Sequence, residues 1–431
     1  MCGIVGAVAE RNVVPILMEG LRRLEYRGYD SAGIAIRTDD GMVRVRRVGK
    51  VQELQSALDE SPVRGGTGIS HTRWATHGVP NETNAHPHLS SEQIAIVHNG
   101  IIENYEELRN DLKAKGYEFT SDTDTETIAH RIHYNAQQAD DFIGAVRITV
   151  AELEGAYAIA VMNTDSPEQL VIARQGAPAV VGIGIGENFV ASDVAALLPV
   201  TRNFIFLEEG DVALVERKQV TIWNEQGERV EREVRESALD ADAAERGEFR
   251  HYMLKEIYEQ AAAVGRTLDG RIVDGRVLEA SFGPLANDAL DKTKGVHIVA
   301  CGTSFHAGLV ARYWIEALCG LPCTVEIASE YRYRSPVVPE NTLFVTISQS
   351  GETADTLAAL RAAKEAGYIS TLTICNVPES SMVRESDLTM MTHAGPEIGV
   401  ASTKAFTTQL AALALLTISL ARRGGLEERQ E

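Results

Sequence analysis

The chain has 431 residues, room for two or three domains, and its 44% hydrophobic and 24% charged residues argue against disorder. Lysine and arginine total 41 against 61 aspartate and glutamate, a formal charge of −20, which disfavours nucleic acid and anionic membrane as main partners because both require a basic face. The five cysteines, at 2, 301, 319, 323 and 375, make no disulfide framework and fit a reducing cytoplasm. Cys319 and Cys323 have no histidine or second cysteine pair beside them, so they read as buried helix-end residues and not as metal ligands.

The opening apolar run, Cys2 to Ala9, stops at Glu10-Arg11 and is too short for a signal peptide. From there to residue 235 the chain reads as many short strands, among them SAGIAIR, MVRVRRVG, GTGISHTRWA, IAIVHNG, AYAIAVMN and QLVIAR, separated by turn residues. Helical patterns interrupt them at 13–26, 106–116, 124–138 and 142–153. Strands and clustered helices in this mixture predict stacked antiparallel sheets covered by helices. GIGIG (182–186) has the look of a dinucleotide loop, but the strand NFVASD follows it instead of a helix, so a tight turn is expected.

Residues 236–250 are charged and poor in apolar residues, and they read as a linker between domains 2–235 and 251–431. A helical run opens the second domain. From about 295 strands and helices alternate: HIVACG, CTVEIAS, LFVTI, STLTICN and LTMMTHAG, with helices between, ending in a long helix at 402–423. Such a βαβ series predicts a doubly wound parallel sheet whose ligands sit at the carboxyl ends of strands. Within the last helix the run LAALALLTISLA (410–421) is too short to span a bilayer.

Four stretches of the first half carry chemistry. Once Met1 is removed, Cys2 has a free α-amine that titrates near ~8, close to a thiol near ~8.5, so one residue supplies nucleophile and base. A lone Cys2 would by default be an inert apolar strand residue. HTRWATHG (71–78) groups Arg73, Thr76 and His77 after a strand, and Arg73 suits a bidentate grip on a carboxylate. HNGIIENY (98–105) places the amide of Asn99 and the N–H of Gly100 where both could face a developing oxyanion, although Asn-Gly is also a common hairpin turn. Asp124 stands at a helix start, where an N-cap is the plain alternative.

In this order the motifs resemble the N-terminal-nucleophile glutamine amidotransferases over residues 2–235. The resemblance implies a four-layer αββα fold and attack of Cys2 on the glutamine amide through a glutamyl thioester. It implies that Asn99 and Gly100 form the oxyanion hole, Arg73 holds the α-carboxylate and Asp124 the α-amine. Trp74 would belong to a loop closing over glutamine, assisted by Thr76 and His77.

In the second half, ACGTSFHAG (300–308) and ISQSGETADT (347–356) each join a strand to a helix and are rich in glycine and hydroxyls, which suits a phosphate cradle without a Walker lysine. Ordinary Ser/Thr capping would explain one such loop but less readily two. The loops, with VASTKAFTTQ (400–409), resemble the sugar isomerase domain. By that resemblance Thr303, Ser304, Ser348, Gln349, Ser350, Thr353 and Val400 would contact a phosphosugar. From residue 2 to about 425 the chain is similar to the glutamine–fructose-6-phosphate aminotransferase family, which implies conversion of fructose 6-phosphate and glutamine to glucosamine 6-phosphate and glutamate. The same resemblance implies a cytoplasmic location, no metal or organic cofactor, and a homodimer in the full-length family form. The family continues into a second sugar isomerase domain and a tail that supply the isomerase lysine, glutamate and histidine, whereas this chain stops at ARRGGLEERQE. A C-terminal truncation is therefore expected, with glutamine hydrolysis retained, fructose 6-phosphate bound weakly, no amino sugar made, and an apolar stripe of helix 402–423 exposed. Purine- and asparagine-type amidotransferases share the front half, but neither a phosphoribosyl-pyrophosphate loop nor an SGG-type loop occurs here. A glutaminase joined to a non-catalytic phosphosugar sensor is the alternative.

Overall fold

A computed structural model describes residues 2–25, 28, 30–75, 78–237, 248–399 and 401–424. It separates into two compact units, Met1–Ala241 and Asp242–Glu431.

In the first unit, alternation along single strands builds the layers. On Gly3–Val8, Val5 and Ala7 face a core shared with Leu17 and Leu21 of helix Val14–Leu24 and Leu54 of helix Val51–Glu60. Ile4 and Val8, on the opposite face, join a core with Ala95, Val97, Ala158 and Ile172. A strand apolar on both faces belongs to a sheet buried on both sides. That sheet has eight strands, in the order Val234–Glu236, Asn203–Phe206, Val180–Ile183, Asn188–Ala191, Gly3–Val8, Thr67–Arg73, Ser31–Thr38 and Gly41–Val48. The second sheet has seven, running Arg229–Val230, Val220–Trp223, Val212–Glu216, Gln169–Gln175, Gly155–Asn163, Ile94–Ile102 and His88–Ser90. Its outer face, through Ile94, Ile96 and Ile159, takes Ile128 and Ile132 of helix Asp124–Ala136 and Phe142 and Val146 of helix Phe142–Val150. Helix, sheet, sheet, helix is the four-layer arrangement expected.

Helix Val51–Glu60 was not among the expected elements, though Val51, Leu54 and Leu58 mark an inner face at helical spacing. GIGIG lies in an antiparallel hairpin between Val180–Ile183 and Asn188–Ala191. Strand Val234–Glu236 pairs with Asn203–Phe206, and residues 238–247 of the expected linker lie outside the described residues.

The main sheet of the second unit has five strands, ordered Cys323–Ile327, Gly295–Ala300, Thr342–Ser348, Ser370–Cys375 and Leu388–Met391, all parallel, beside a small antiparallel pair, Ile272–Val273 with Arg276–Val277. Val296, Ile298 and Val345 pack on one face against Ala307 and Ala311 of helix Gly302–Trp314 and Leu413 and Leu416 of helix Lys404–Ala421. Val299 and Phe344 pack on the other against Leu357 and Leu360 of helix Ala354–Glu365. The sheet is doubly wound.

Helix Lys404–Ala421 corrects an expectation. It is long and apolar enough to cross a membrane by composition, yet 67% of that window is buried in the fold. Leu413, Leu416 and Leu420 bury one side of it in the core, while Phe406, Leu410, Ala414 and Ile418, four residues apart, stay half-buried along another, so the expected apolar stripe is partly covered and not fully exposed. Cys323 likewise opens a strand, whereas Cys319 ends a helical stretch.

Candidate functional site

In the first unit, strand pairing brings the separate motifs to one end of the sheets. Gly3 lies opposite Thr72, so the register carries Cys2 alongside Arg73 and Trp74. The Trp74 amide donates to Cys2 Sγ at 3.2 Å, and the thiol reaches the Trp74 carbonyl at 3.5 Å. Burial pushes the Cys2 thiol above its ordinary value, while the Trp74 amide and the Arg73 charge pull the other way. A thiol held in this state needs a base at the moment of reaction. Arg73 is 3% exposed and donates to the Gly78 carbonyl at 3.4 Å. Asp30, which the motifs did not single out, accepts from the Ala75 amide and from Ser31 Oγ at 2.7 Å, pinning the turn that carries Trp74.

Asn99 and Gly100 do not form a hairpin turn. Both lie within strand Ile94–Ile102, opposite Ala158 and Tyr157. Gly100 has φ +131°, and a Cβ there would sit 1.9 Å from the Ala156 carbonyl oxygen, so this strand position admits only glycine. Asn99 Nδ2 donates to the Cys2 carbonyl at 3.2 Å and Oδ1 meets His71 Nε2 at 3.0 Å.

Asp124 is not an N-cap. Thr123 takes that place, accepting from the Glu126 amide. Burial alone would raise the Glu126 carboxyl, but the amides and hydroxyls of Thr120 and Ser121 hold it below its ordinary value. The Asp124 carboxylate, 4% exposed, instead accepts the Ile102 amide at 3.0 Å, just past Gly100. Thus Cys2, Arg73, Trp74, Asn99 and Asp124 are tied to neighbouring strand ends, whereas Thr76 and His77 lie outside the described residues.

In the second unit, the chain passes from Gly295–Ala300 to Cys323–Ile327 on one side and then to Thr342–Ser348 on the other. The switch in strand order therefore lies between Gly295–Ala300 and Thr342–Ser348, where such sheets bind ligands. Ala300 pairs with Ile347, which sets the two glycine–hydroxyl loops side by side. Gly302, φ +58°, turns the first loop into its helix, with Thr303 exposed and Ser304 buried in the first turn. In the second, Ser348 Oγ accepts from the Gly351 amide at 2.9 Å and meets Thr353 Oγ1 at 3.2 Å, and Ser350 Oγ accepts from the Glu352 amide at 3.2 Å. Thr353 is the N-cap residue of Ala354–Glu365 yet makes no capping bond with its side chain, so the plain capping alternative fails there. Gln349 is half-buried in the same loop.

Sequence reasoning missed the supports of the third motif. Glu256 accepts the amides of Ile398 and Gly399, at 2.5 and 2.9 Å. Glu397 accepts those of Thr403 and Ala405, and buried Lys404 donates to Glu259 at 2.6 Å. Val400, between these anchors, lies outside the described residues.

Comparison with known proteins agrees with both units. A family model described as a glutamine amidotransferase domain matches residues 71–199, and one described as a SIS domain matches 289–419. The layered first unit and the parallel second unit therefore define a glutamine amidotransferase joined to a sugar isomerase domain. A glutamine–fructose-6-phosphate aminotransferase (isomerizing) of Shewanella oneidensis is 60% identical over all of this chain and 71% of its own length. That of Escherichia coli is 58% identical over 99% of this chain and 70% of its own. Among solved structures, the C-terminal domain of glucosamine-fructose-6-phosphate aminotransferase from Francisella tularensis matches at 55% identity, covering 43% of this chain and 53% of that one with a TM-score of 0.43. The chain belongs to the glutamine–fructose-6-phosphate aminotransferase family.

Proposed function

We propose that the first unit hydrolyses glutamine and that the ammonia serves amination of fructose 6-phosphate to glucosamine 6-phosphate. The observation that most supports this is the convergence of Cys2, Trp74 and Asn99 through the contacts at 3.2 Å. With Met1 removed, the α-amine of Cys2 takes the thiol proton and Sγ attacks the amide carbon. Asn99 Nδ2–H and the Gly100 amide receive the oxyanion. Collapse expels ammonia, which carries off the proton held on the amine, and water then cleaves the thioester to glutamate. Arg73 and Asp124 grip the α-carboxylate and α-amine, with Trp74, Thr76 and His77 closing over them. Thr303, Ser304, Ser348, Gln349, Ser350, Thr353 and the Val400 segment receive the phosphosugar, in domains spanning 2–235 and 251–431 with 236–250 as linker. The reading includes a cytoplasmic homodimer.

The test supplies the purified 431-residue chain with both substrates and quantifies glutamate and amino sugar separately. Glutamate should form, Cys2→Ala should abolish it with the fold intact, and a variant retaining Met1 should be equally inactive. Retained Met1 on a fully active protein would overturn the amine's role. The chain spans about 71% of its relative's length, and the ratio of amino sugar to glutamate reads how far hydrolysis is coupled to amination in it. Glutamate alone, formed at a rate altered by fructose 6-phosphate, would favour the sensor alternative.

A further inference from the structure

Beneath the glutaminase site lies a buried group of rings that the mechanism above does not use. His71 and His86 stack with centroids 4.2 Å apart and planes at 18°, and His88 meets His86 edge-on at 5.0 Å. His86 Nδ1 accepts the His98 amide at 3.3 Å, so its other nitrogen carries the proton and donates to Thr125 Oγ1 at 3.4 Å. Thr125 Oγ1 also meets His98 Nδ1 at 3.0 Å and Asp124 Oδ1 at 3.4 Å. The network therefore runs from Asn99 at one pole of the site to Asp124 at the other. His71 itself is 0% exposed.

The orientation of Asn99 follows from its two contacts. A carboxamide has one accepting and one donating end, and turning it over exchanges them. Nδ2 donates to the Cys2 carbonyl, so Oδ1 faces His71 and requires a donor there. The His71 tautomer with hydrogen on Nε2 supplies one. If the amide turned over, Nδ2–H would face His71 and the bare Oδ1 would face the Cys2 carbonyl, setting two acceptors against each other. Asn99 is itself buried, where an unmade hydrogen bond costs about 1–3 kcal/mol. Burial keeps His71 neutral, so the ring orients the amide without placing a cation beside it.

We infer that His71 is a positioning residue for glutamine hydrolysis, whose Nε2–H holds Asn99 Oδ1 and so keeps the Asn99 amide donor turned toward the Cys2 side. This rests on the reading of Asn99 as an oxyanion donor. His71 touches neither nucleophile nor substrate; it removes a rotational alternative that would present an oxygen to the developing negative charge.

The experiment measures kcat and KM for glutamine hydrolysis in the full chain carrying H71M, H71Q, H71N, N99A and H71M with N99A, alongside thermal unfolding of each. H71M should lower kcat by about 10–10²-fold with the glutamine KM within about twofold, because the lost interaction acts in the transition state. H71Q, whose N–H reaches near the Nε2 position, should recover most of kcat, whereas H71N, which reaches only near Nδ1, should not. In the N99A background H71M should have almost no further effect, since residues acting through one another are non-additive. Full kcat in H71M, a KM rising in step with its loss, or effects of H71M and N99A that multiply would each overturn the inference. Should H71M fail to fold, H71Q and H71N decide alone, and equal rates for the two would overturn it. N99A at full rate would instead overturn the oxyanion reading, whereas a slow N99A beside a fully active H71M would sink only the role of His71.

Discussion

Acidification from pH 7 to pH 5 is expected to destabilise the first unit strongly. His71, His86 and His88 are 0%, 5% and 2% exposed. Burial holds His71 down to about 3, and it holds His86 and His88 well below their ordinary value, with Arg46 and Arg44 adding repulsion at His88. In the unfolded chain each titrates near ~6.5. Below that pH the unfolded state binds three protons that the folded state refuses. The contribution of these rings is therefore fully present above about pH 6.5 and is lost as pH falls toward the folded-state values. Each ring contributes about 1.4 kcal/mol per pH unit, so the three together contribute about 4 kcal/mol per unit and about 6 kcal/mol by pH 5. A domain's whole stability is about 5–15 kcal/mol. The Glu126 carboxylate, held low, adds loss of the same sign at lower pH still. The assay is urea unfolding at pH 7, 6 and 5, followed by tryptophan fluorescence in a Trp314→Phe variant, so that Trp74 and Trp223 of the first unit report. The urea midpoint should fall steeply between pH 6 and pH 5. A midpoint unchanged from pH 7 to pH 5 would show that these rings are not buried neutral, and the reasoning would fail.

Arg73→Ala should raise the glutamine KM far more than it lowers kcat, because a grip on the α-carboxylate is equal in ground and transition states; a large kcat loss at unchanged KM would reassign it. Gly351→Ala should weaken fructose 6-phosphate binding at least about tenfold in calorimetry while glutamine hydrolysis is unaffected. Its φ of +67° is strained for alanine, and the added Cβ would lie 2.0 Å from Ser380 Oγ. Unchanged binding would remove that loop from the phosphosugar site.

The elements that the sequence determined by itself are those whose signal is local. Continuous apolar runs, Gly3–Val8 and the IAIV that opens Ile94–Ile102, mark strands buried on both faces, and strand–turn–helix punctuation around Gly302 and Gly351 marks parallel βα units. The candidate residues Cys2, Arg73, Asn99 and Asp124 were legible because their types and order are distinctive. Their settings were not. An Asn-Gly pair is a turn unless a neighbouring strand claims it, and here Gly155–Asn163 does. Asp124 would have capped its helix had Thr123 not done so, and this freed its carboxylate for the Ile102 amide. How far the apolar stripe of helix Lys404–Ala421 is covered depends on the elements laid against it, and the fold leaves Phe406, Leu410, Ala414 and Ile418 half-buried. Above all, His71 carries no sign in the sequence of what it holds. It is 28 residues from Asn99 and on a different sheet. Only stacking of the two sheets closes that distance to 3.0 Å, because hydrogen bonds depend on separation in space, and position along the chain does not set that separation for residues on different layers.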